Sequence, residues 1–558
     1  MIRIASLVAA GLLASAASAL PERSFRRTVS NTTAIDNFKD VPSSAELHWV
    51  PCYDKYRCAN LEVPLDYADP DAGTTVVAFI RQDAANGTGQ DILFNPGGPG
   101  GSGIAFILSG GGDDIISAGG GMYNVVSFDP RGVNNSGIAL TCFPENREAR
   151  DAYFGTFNTA LPPNEAYYQA VSLGQWCAKA NNETVARYAG TTAVVQDLVH
   201  FTELQAAQDG ENPEEALVWY YGVSYGTVIG QTLAALYPDR VGRIIVDANV
   251  NAEDHYNGLS KTATEDADDG YDWFFKLCYE AGPQKCAFAG ESSSPGEIKR
   301  RFDDLLEKLE KTPLILSDPQ LNSRPEMITK SRVLNAGFST LYAPSTRFPI
   351  LALGLAGLEK DNATIYLAAE KAASSPEIPG PFNYDTTASQ EVLIFVTAID
   401  AAGRYPISDV DEYITVSEEI RNISFYAGKS YAETNVLINA GLDLLPPESQ
   451  SFPGFKKTKT KNPVLFINTS ADPITPISSA KHMSQYFEGS VVLEQNSVGH
   501  GFTSVLSSCS LGHVLRYLKD GSLPEAGTVC ETDTKPLVDS PALQKRSLST
   551  VPMHFRRW

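Results

Sequence analysis

The run Ala216-Leu-Val-Trp-Tyr-Tyr-Gly-Val-Ser224-Tyr-Gly-Thr-Val-Ile-Gly230 decides the architecture. Its first six residues are apolar, four of them aromatic or β-branched, as in a buried strand, and the small residues from Thr227 onward open a helix. Between them Gly222-Val-Ser-Tyr-Gly226 must turn sharply. A hydroxyl held on such a strand-to-helix turn needs glycine on either side, because only glycine lets the neighbouring backbone pack so closely. Strand before and helix after mark Ser224 as a nucleophile rather than a loop serine.

A serine hydroxyl is a weak nucleophile at neutral pH, so a histidine must take its proton and a carboxylate must orient that histidine. With this kind of turn the chain order is Ser, acid, His, which sets aside His48 and His200. His500 fits best, in Val498-Gly-His-Gly-Phe502, where flanking glycines permit a tight loop beyond a strand ending near Leu493. His482 and His513 fall on helical stretches, His554 in the tail and His255 at the start of a helical region, and each reads as an ordinary surface or packed histidine. The acid belongs on the loop after Pro463-Val-Leu-Phe-Ile467, and Asp472 lies there, followed by Pro473 and Pro476, which restrict the loop. Asp443 is the alternative. Two preorganised N–H donors must meet the oxyanion. Asn95-Pro-Gly-Gly-Pro-Gly-Gly-Ser-Gly103 follows a short strand and supplies Gly98, and the second donor is the amide of Tyr225. A phosphate loop is the competing reading of these glycines, but no Gly-Lys-Ser/Thr ending follows.

Outward from these residues, strands are expected at Thr75–Arg81, Asp91–Phe94, Tyr123–Phe128, Ala216–Tyr221 and Arg243–Asp247, with helices at Val194–Gln208 and Thr227–Leu236. That is an α/β chain with a mostly parallel, doubly wound sheet. Residues 251–455 read as a helical cap with segments at Ala263–Tyr279, Gly296–Leu309, Arg332–Tyr342, Thr364–Ala373, Ser389–Ala402 and Val410–Ile423. Strands resume at Pro463–Ile467 and Ser490–Leu493. The chain therefore divides into a leader at 1–19, an N-terminal segment at 20–44, core at 45–250, cap at 251–455, core at 456–535 and a tail at 536–558.

In the leader, Arg3 precedes the apolar run Ile4–Ala14 and an Ala-x-Ala exit after Ala19, which predicts secretion. Eight cysteines without metal-type spacing favour disulfides, and the economical pairing joins Cys52 to Cys58, Cys142 to Cys177, Cys278 to Cys286 and Cys509 to Cys530. Asn-x-Ser/Thr acceptors stand at Asn31, Asn86, Asn134, Asn182, Asn362, Asn422 and Asn468, although Asn134 and Asn468 follow strands, where burial would block a glycan. Arg26-Arg27 and Lys545-Arg546 are dibasic pairs of the kind cut in processing. The 558 residues carry a net charge of −22, which disfavours nucleic acid and anionic membrane as partners. No cofactor or metal is called for, since a Ser-His-Asp set supplies both nucleophile and proton transfer.

Taken together, Trp49-x2-Cys52, Leu61-Glu-Val-Pro-Leu-Asp-Tyr67, the Asn95–Gly103 loop, Ser127-Phe-Asp-Pro-Arg-Gly132, Tyr221–Thr227, Asp472-x2-Thr-Pro476, Gly499-His-Gly501 and the Cys509/Cys530 tail resemble the secreted tripeptidyl aminopeptidase-like branch of the α/β-hydrolases, related to prolyl aminopeptidases. The resemblance runs from about residue 45 to 532. It implies a serine exopeptidase acting on free N-termini, with Ser224, Asp472 and His500 as triad, Gly98 in the oxyanion loop, and structural duty for Asp129 and Arg131. Such enzymes need carboxylates in the cap to bind the substrate's ammonium. Asp254, Glu265, Asp266 and Asp268 lie near the sheet end, but read more simply as an exposed acidic run. An ester, lactone or small secondary metabolite is the alternative substrate for the same triad, and a catalytically dead binding protein the alternative of another class.

Overall fold

A computed structural model of the chain describes residues 34–84, 89–156, 161–373 and 386–539. The leader 1–19, the acceptors Asn31 and Asn86, both dibasic pairs, His554 and most of the tail lie outside the described residues. In chain order the strands are β1 (Ser43–Ser44), β2 (Val50–Cys52), β3 (Tyr56–Asp66), β4 (Asp69–Gln82), β5 (Asp91–Asn95), β6 (Asn124–Asp129), β7 (Val218–Val223), β8 (Val241–Asp247), β9 (Leu314–Leu316), β10 (Glu326–Ile328), β11 (Leu465–Ala471), β12 (Val491–Val498) and β13 (Val529–Cys530). Eleven of them form one sheet in the order β1-β3-β4-β6-β5-β7-β8-β11-β12-β13, with β2 on β3. From β6 to β13 the neighbours run parallel, while β4 is antiparallel to both β3 and β6.

Both faces of the sheet are covered, and the alternation of side chains shows it. Leu93 of β5 joins one core with Phe79, Tyr220 and Val246, whereas Ile92 and Phe94 join the other with Ile80, Tyr221 and Ile245. The helices Thr191–Gln208 and Tyr225–Leu236 pack on the first face. Because β5 lies between β6 and β7, the strand order reverses there, and a crevice opens at the carboxyl ends of β5 and β7. Ser224 and the Asn95–Gly103 loop both start at that crevice.

The insertion between β8 and β11 has its own core of Phe274, Phe275, Phe302, Phe348 and Leu355. Its helices include Ala267–Ala281, Pro295–Lys311, Lys330–Leu341, Pro344–Leu358, Ala363–Ala373, Thr386–Ala401 and Val410–Arg421, together with the small antiparallel pair β9/β10. The sequence reading missed Pro344–Leu358 and that hairpin. It also missed the helices Arg147–Thr156 and Pro163–Asn181, which leave the sheet between β6 and β7. The second of these packs against the insertion so closely that a Cβ on Gly174 would lie 2.0 Å from the Ala440 carbonyl oxygen. Tyr167 donates from the same helix to the Ser408 carbonyl at 2.7 Å. The helical layer is therefore built from two excursions of the chain.

Disulfides join Cys52–Cys58, Cys142–Cys177, Cys278–Cys286 and Cys509–Cys530. Among the acceptors, Asn134, Asn182, Asn362 and Asn422 are exposed. Asn468 is a correction: it has no exposed surface, donates to the Thr475 carbonyl at 2.7 Å and accepts the Asn249 amide at 2.8 Å, so a glycan has no room there. Among the described residues, no helix is long and apolar enough to cross a membrane.

Candidate active site

Ser224 follows β7 directly and caps the helix Tyr225–Leu236 with φ 58° and ψ −125°, a backbone conformation that a residue with a side chain holds only under constraint. The constraint is visible. Its amide donates to the Asp247 carbonyl at 3.1 Å, and a Cβ on Gly222 would meet the Gly226 carbonyl oxygen at 2.2 Å. The glycine loop presses from the other side. Asn95 accepts the Gly97 amide at 2.9 Å, and a Cβ on Gly97 would sit 2.7 Å from Ser224 Cβ. That fixes Gly98 beside the turn. Among the described residues, the N–H groups of Gly98 and Tyr225 donate to no protein acceptor, as donors kept for a ligand oxygen must be.

His500 follows β12 on a loop whose glycines, Gly499 and Gly501, have φ 131° and 84°. Its Nδ1 lies 3.0 Å from both oxygens of Asp472, and its ring rests 4.9 Å from the ring of Tyr342. Asp472 has no exposed surface, and it accepts the amides of Ile474 at 3.1 Å, Thr475 at 2.9 Å and Gly501 at 3.3 Å. Such bonding satisfies the lone pairs of a buried carboxyl group. Burial works against the imidazolium of His500, but the charge of Asp472, with Asp247 behind it, outweighs that and raises its pKa above the ordinary value.

Ser224 and Tyr225 line a cavity of about 300 Å³ with Gly98, Tyr342 and Thr475. The last two also touch the His500 ring, Thr475 through its hydroxyl at 3.1 Å from Nδ1. Among the described residues, no hydrogen bond joins Ser224 to His500. The structure brings Asp472 and His500 into direct contact, and links His500 to the cavity that Ser224 lines through Tyr342 and Thr475. Asp443 is exposed and makes no contact with His500.

Other expectations need correcting. Of the acidic run, only Glu265 is exposed, whereas Asp254, Asp266 and Asp268 are half-buried. Asp254 lines the cavity and accepts the Thr262 hydroxyl at 3.1 Å, with no cation paired to it among the described residues. Asp266 accepts the Ile477 amide at 2.9 Å, and burial, reinforced by the charge of Asp472, pushes its carboxyl up to about 7. Asp268 holds the turn at Ser424–Tyr426. His255 is packed, as expected, but it also lines the cavity, bonded to Asp400 at 2.7 Å. Asp400 in turn accepts the Thr191 hydroxyl, which meets the Tyr225 hydroxyl at 2.6 Å. Nothing in the local sequence around Asp400 marks that link, because the other members, Thr191, Tyr225 and His255, come from three separate stretches.

Asp129 accepts the Ser102 hydroxyl at 2.6 Å, and Arg131, wholly buried, grips Asp197 with two bonds of 2.8 Å; neither lines the cavity. Among the described residues the grouping Cys509, His513 and Cys530 has the side-chain types of a metal site, but its sulfurs are spent in a disulfide.

Comparison with known proteins agrees with this geometry. Residues 92–327 match the family described as alpha/beta hydrolase fold, and residues 436–530, which carry Asp472 and His500, match the family described as TAP-like protein. The chain is 24% identical over 503 residues to Serine protease Hip1 of Mycobacterium tuberculosis, covering 87% of this chain and 91% of that protein. It is 24% identical over 496 residues to Tripeptidyl aminopeptidase of Streptomyces coelicolor, covering 86% and 84%. Carboxylesterase B of Mycobacterium tuberculosis is also 24% identical, over 483 residues covering 85% and 86%. With this strand order and these matches, the chain is an α/β-hydrolase with a TAP-like domain.

Proposed function

We propose that the protein is a secreted serine exopeptidase that cleaves amide bonds near a free N-terminus through an acyl-enzyme on Ser224. The observation that carries this is the Asp472–His500 pair, held at 3.0 Å with its carboxylate bonded by backbone amides and its imidazole against Tyr342 and Thr475, which line the cavity together with Ser224. His500 takes the proton of Ser224 as the hydroxyl attacks, then returns it to the leaving amine. Asp472 fixes the tautomer and stabilises the imidazolium. The amides of Gly98 and Tyr225 receive the oxyanion, and water then attacks the acyl group. Asp254, the cavity carboxylate without a cation, suits a substrate ammonium. A cavity of about 300 Å³ beneath helices admits a short peptide end and not a folded protein. Four disulfides fit an oxidising compartment. The relatives named serine protease and tripeptidyl aminopeptidase support the same reading.

The similarity to a protein named carboxylesterase B favours a second reading, in which the same residues open an ester. Hydrolysis of a free-amine peptide amide and of its N-acetylated counterpart separates the two. The free amine should be cleaved at least tenfold faster, about 1.4 kcal/mol of discrimination, and equal rates would overturn the aminopeptidase assignment.

A further inference from the structure

Asp247, the last residue of β8, has no exposed surface and is not one of the triad residues. Yet it touches both halves of that chemistry. Its carbonyl accepts the Ser224 amide at 3.1 Å, and its carboxyl accepts the Phe502 amide at 3.1 Å through Oδ1 and the Tyr221 hydroxyl at 2.9 Å through Oδ2. The neighbouring amide, that of Gly501, goes to Asp472 at 3.3 Å. The loop that carries His500 is thus pinned at consecutive N–H groups by two different carboxyl groups. Gly501 permits the fit, since a Cβ there would come within 3.1 Å of Asp247 Oδ2.

Resting on the reading that Ser224 and His500 react together, we propose that Asp247 is a positioning residue: it sets the spacing between the serine turn and the histidine loop and, when ionised, places a second negative charge behind the imidazole. It touches no reacting atom. Its main chain holds one partner and its side chain the other, so a shift of β8 moves both together. Burial pushes its carboxyl up to about 7, against the pull of the Phe502 amide, the Tyr221 hydroxyl and His500, and with the push of Asp472. The titratable groups facing it are therefore Tyr221 on β7, His500 and Asp472, with Asp266 next in line through Asp472. As pH rises through neutrality Asp247 loses its proton, and the new charge favours the imidazolium that forms when His500 deprotonates Ser224.

The test is the pH dependence of kcat and kcat/KM for a short peptide amide, in the wild-type protein, Asp247→Asn and Tyr221→Phe. Asn keeps the shape and removes the ionisation. The expected result for Asp247→Asn is a loss of roughly tenfold to a hundredfold in kcat, with KM changed less than about threefold. Its acid limb should be less steep and its midpoint should move to lower pH. Tyr221→Phe retains the carboxyl and deletes one donor to it, so the acid limb should move to higher pH. An Asp247→Asn variant with wild-type kcat and profile would overturn the proposal. So would a fall in kcat with acid limbs unmoved in both variants, which would leave Asp247 a merely structural residue. Ser224→Ala is run alongside: if it retains turnover, the serine mechanism itself fails, and that failure is distinguishable from the failure of the Asp247 assignment.

Discussion

At the scale of single residues, the site depends on saturating one carboxylate. Asp472 accepts three backbone amides and still faces the imidazole with both oxygens at 3.0 Å. Asp472→Asn would present an amide to Nδ1 and favour the wrong tautomer. The expected loss is on the order of 10⁴-fold in kcat with KM little changed, because the residue acts on the proton transfer and not on substrate binding. Steady-state kinetics on a free-amine peptide checks it, and a variant within tenfold of wild type would contradict the role. Ser224 was legible in the sequence because its glycines are local; Asp247 and Asp400 were not. Their partners, Phe502, Tyr221, Thr191 and His255, come from distant segments, and an isolated Asp at a strand end or within a helix carries no periodic signal.

At the scale of elements, the strands with a dense apolar pattern were readable, and their errors are confined to ends. The expected Asp91–Phe94 is Asp91–Asn95, and Arg243–Asp247 is Val241–Asp247. The long β3 was missed because Pro64 interrupts its run in the sequence, and because its strand character comes from pairing with β4. The helix Pro163–Asn181 was missed for a similar reason: its apolar contacts are made with the distant segment near Ala440. Between the elements, the buried Arg131–Asp197 pair is a fixed joint. Arg131 also donates to the carbonyls of Pro64 at 2.7 Å, Leu65 at 2.7 Å and Tyr188 at 3.0 Å, so it ties β3 to the helix Thr191–Gln208. Asp197→Ala leaves a guanidinium buried without its counter-charge and should destabilise the fold by about 3–5 kcal/mol. Denaturant unfolding measures it, and a change below about 1 kcal/mol would show the pair to be dispensable.

At the scale of the whole molecule, three groups near the site share one pH sense. Burial raises Asp247 and Asp266 from an ordinary 3.8 to about 7, and His500 is raised above 6.5. Each native group binds its proton more tightly than the unfolded chain does, so the native state is favoured while the protons stay on. For the carboxyls that stabilisation is full below about pH 4 and fades as pH rises towards 7; for His500 it fades above its ordinary value. The net charge of −22 at pH 7 adds repulsion in the same direction. The urea midpoint should therefore be higher at pH 5 than at pH 8, and Asp266→Asn should flatten the difference. A midpoint that rises with pH would contradict these protonation states.

Labelling with a fluorophosphonate, read by mass spectrometry of the peptide spanning Gly222–Gly226, tests the assignment of Ser224 as nucleophile most directly. One adduct per chain on Ser224 is expected in the wild-type protein, lost in folded Ser224→Ala and slowed at least a hundredfold in His500→Ala. An adduct at another serine, or undiminished labelling of Ser224→Ala, would contradict it.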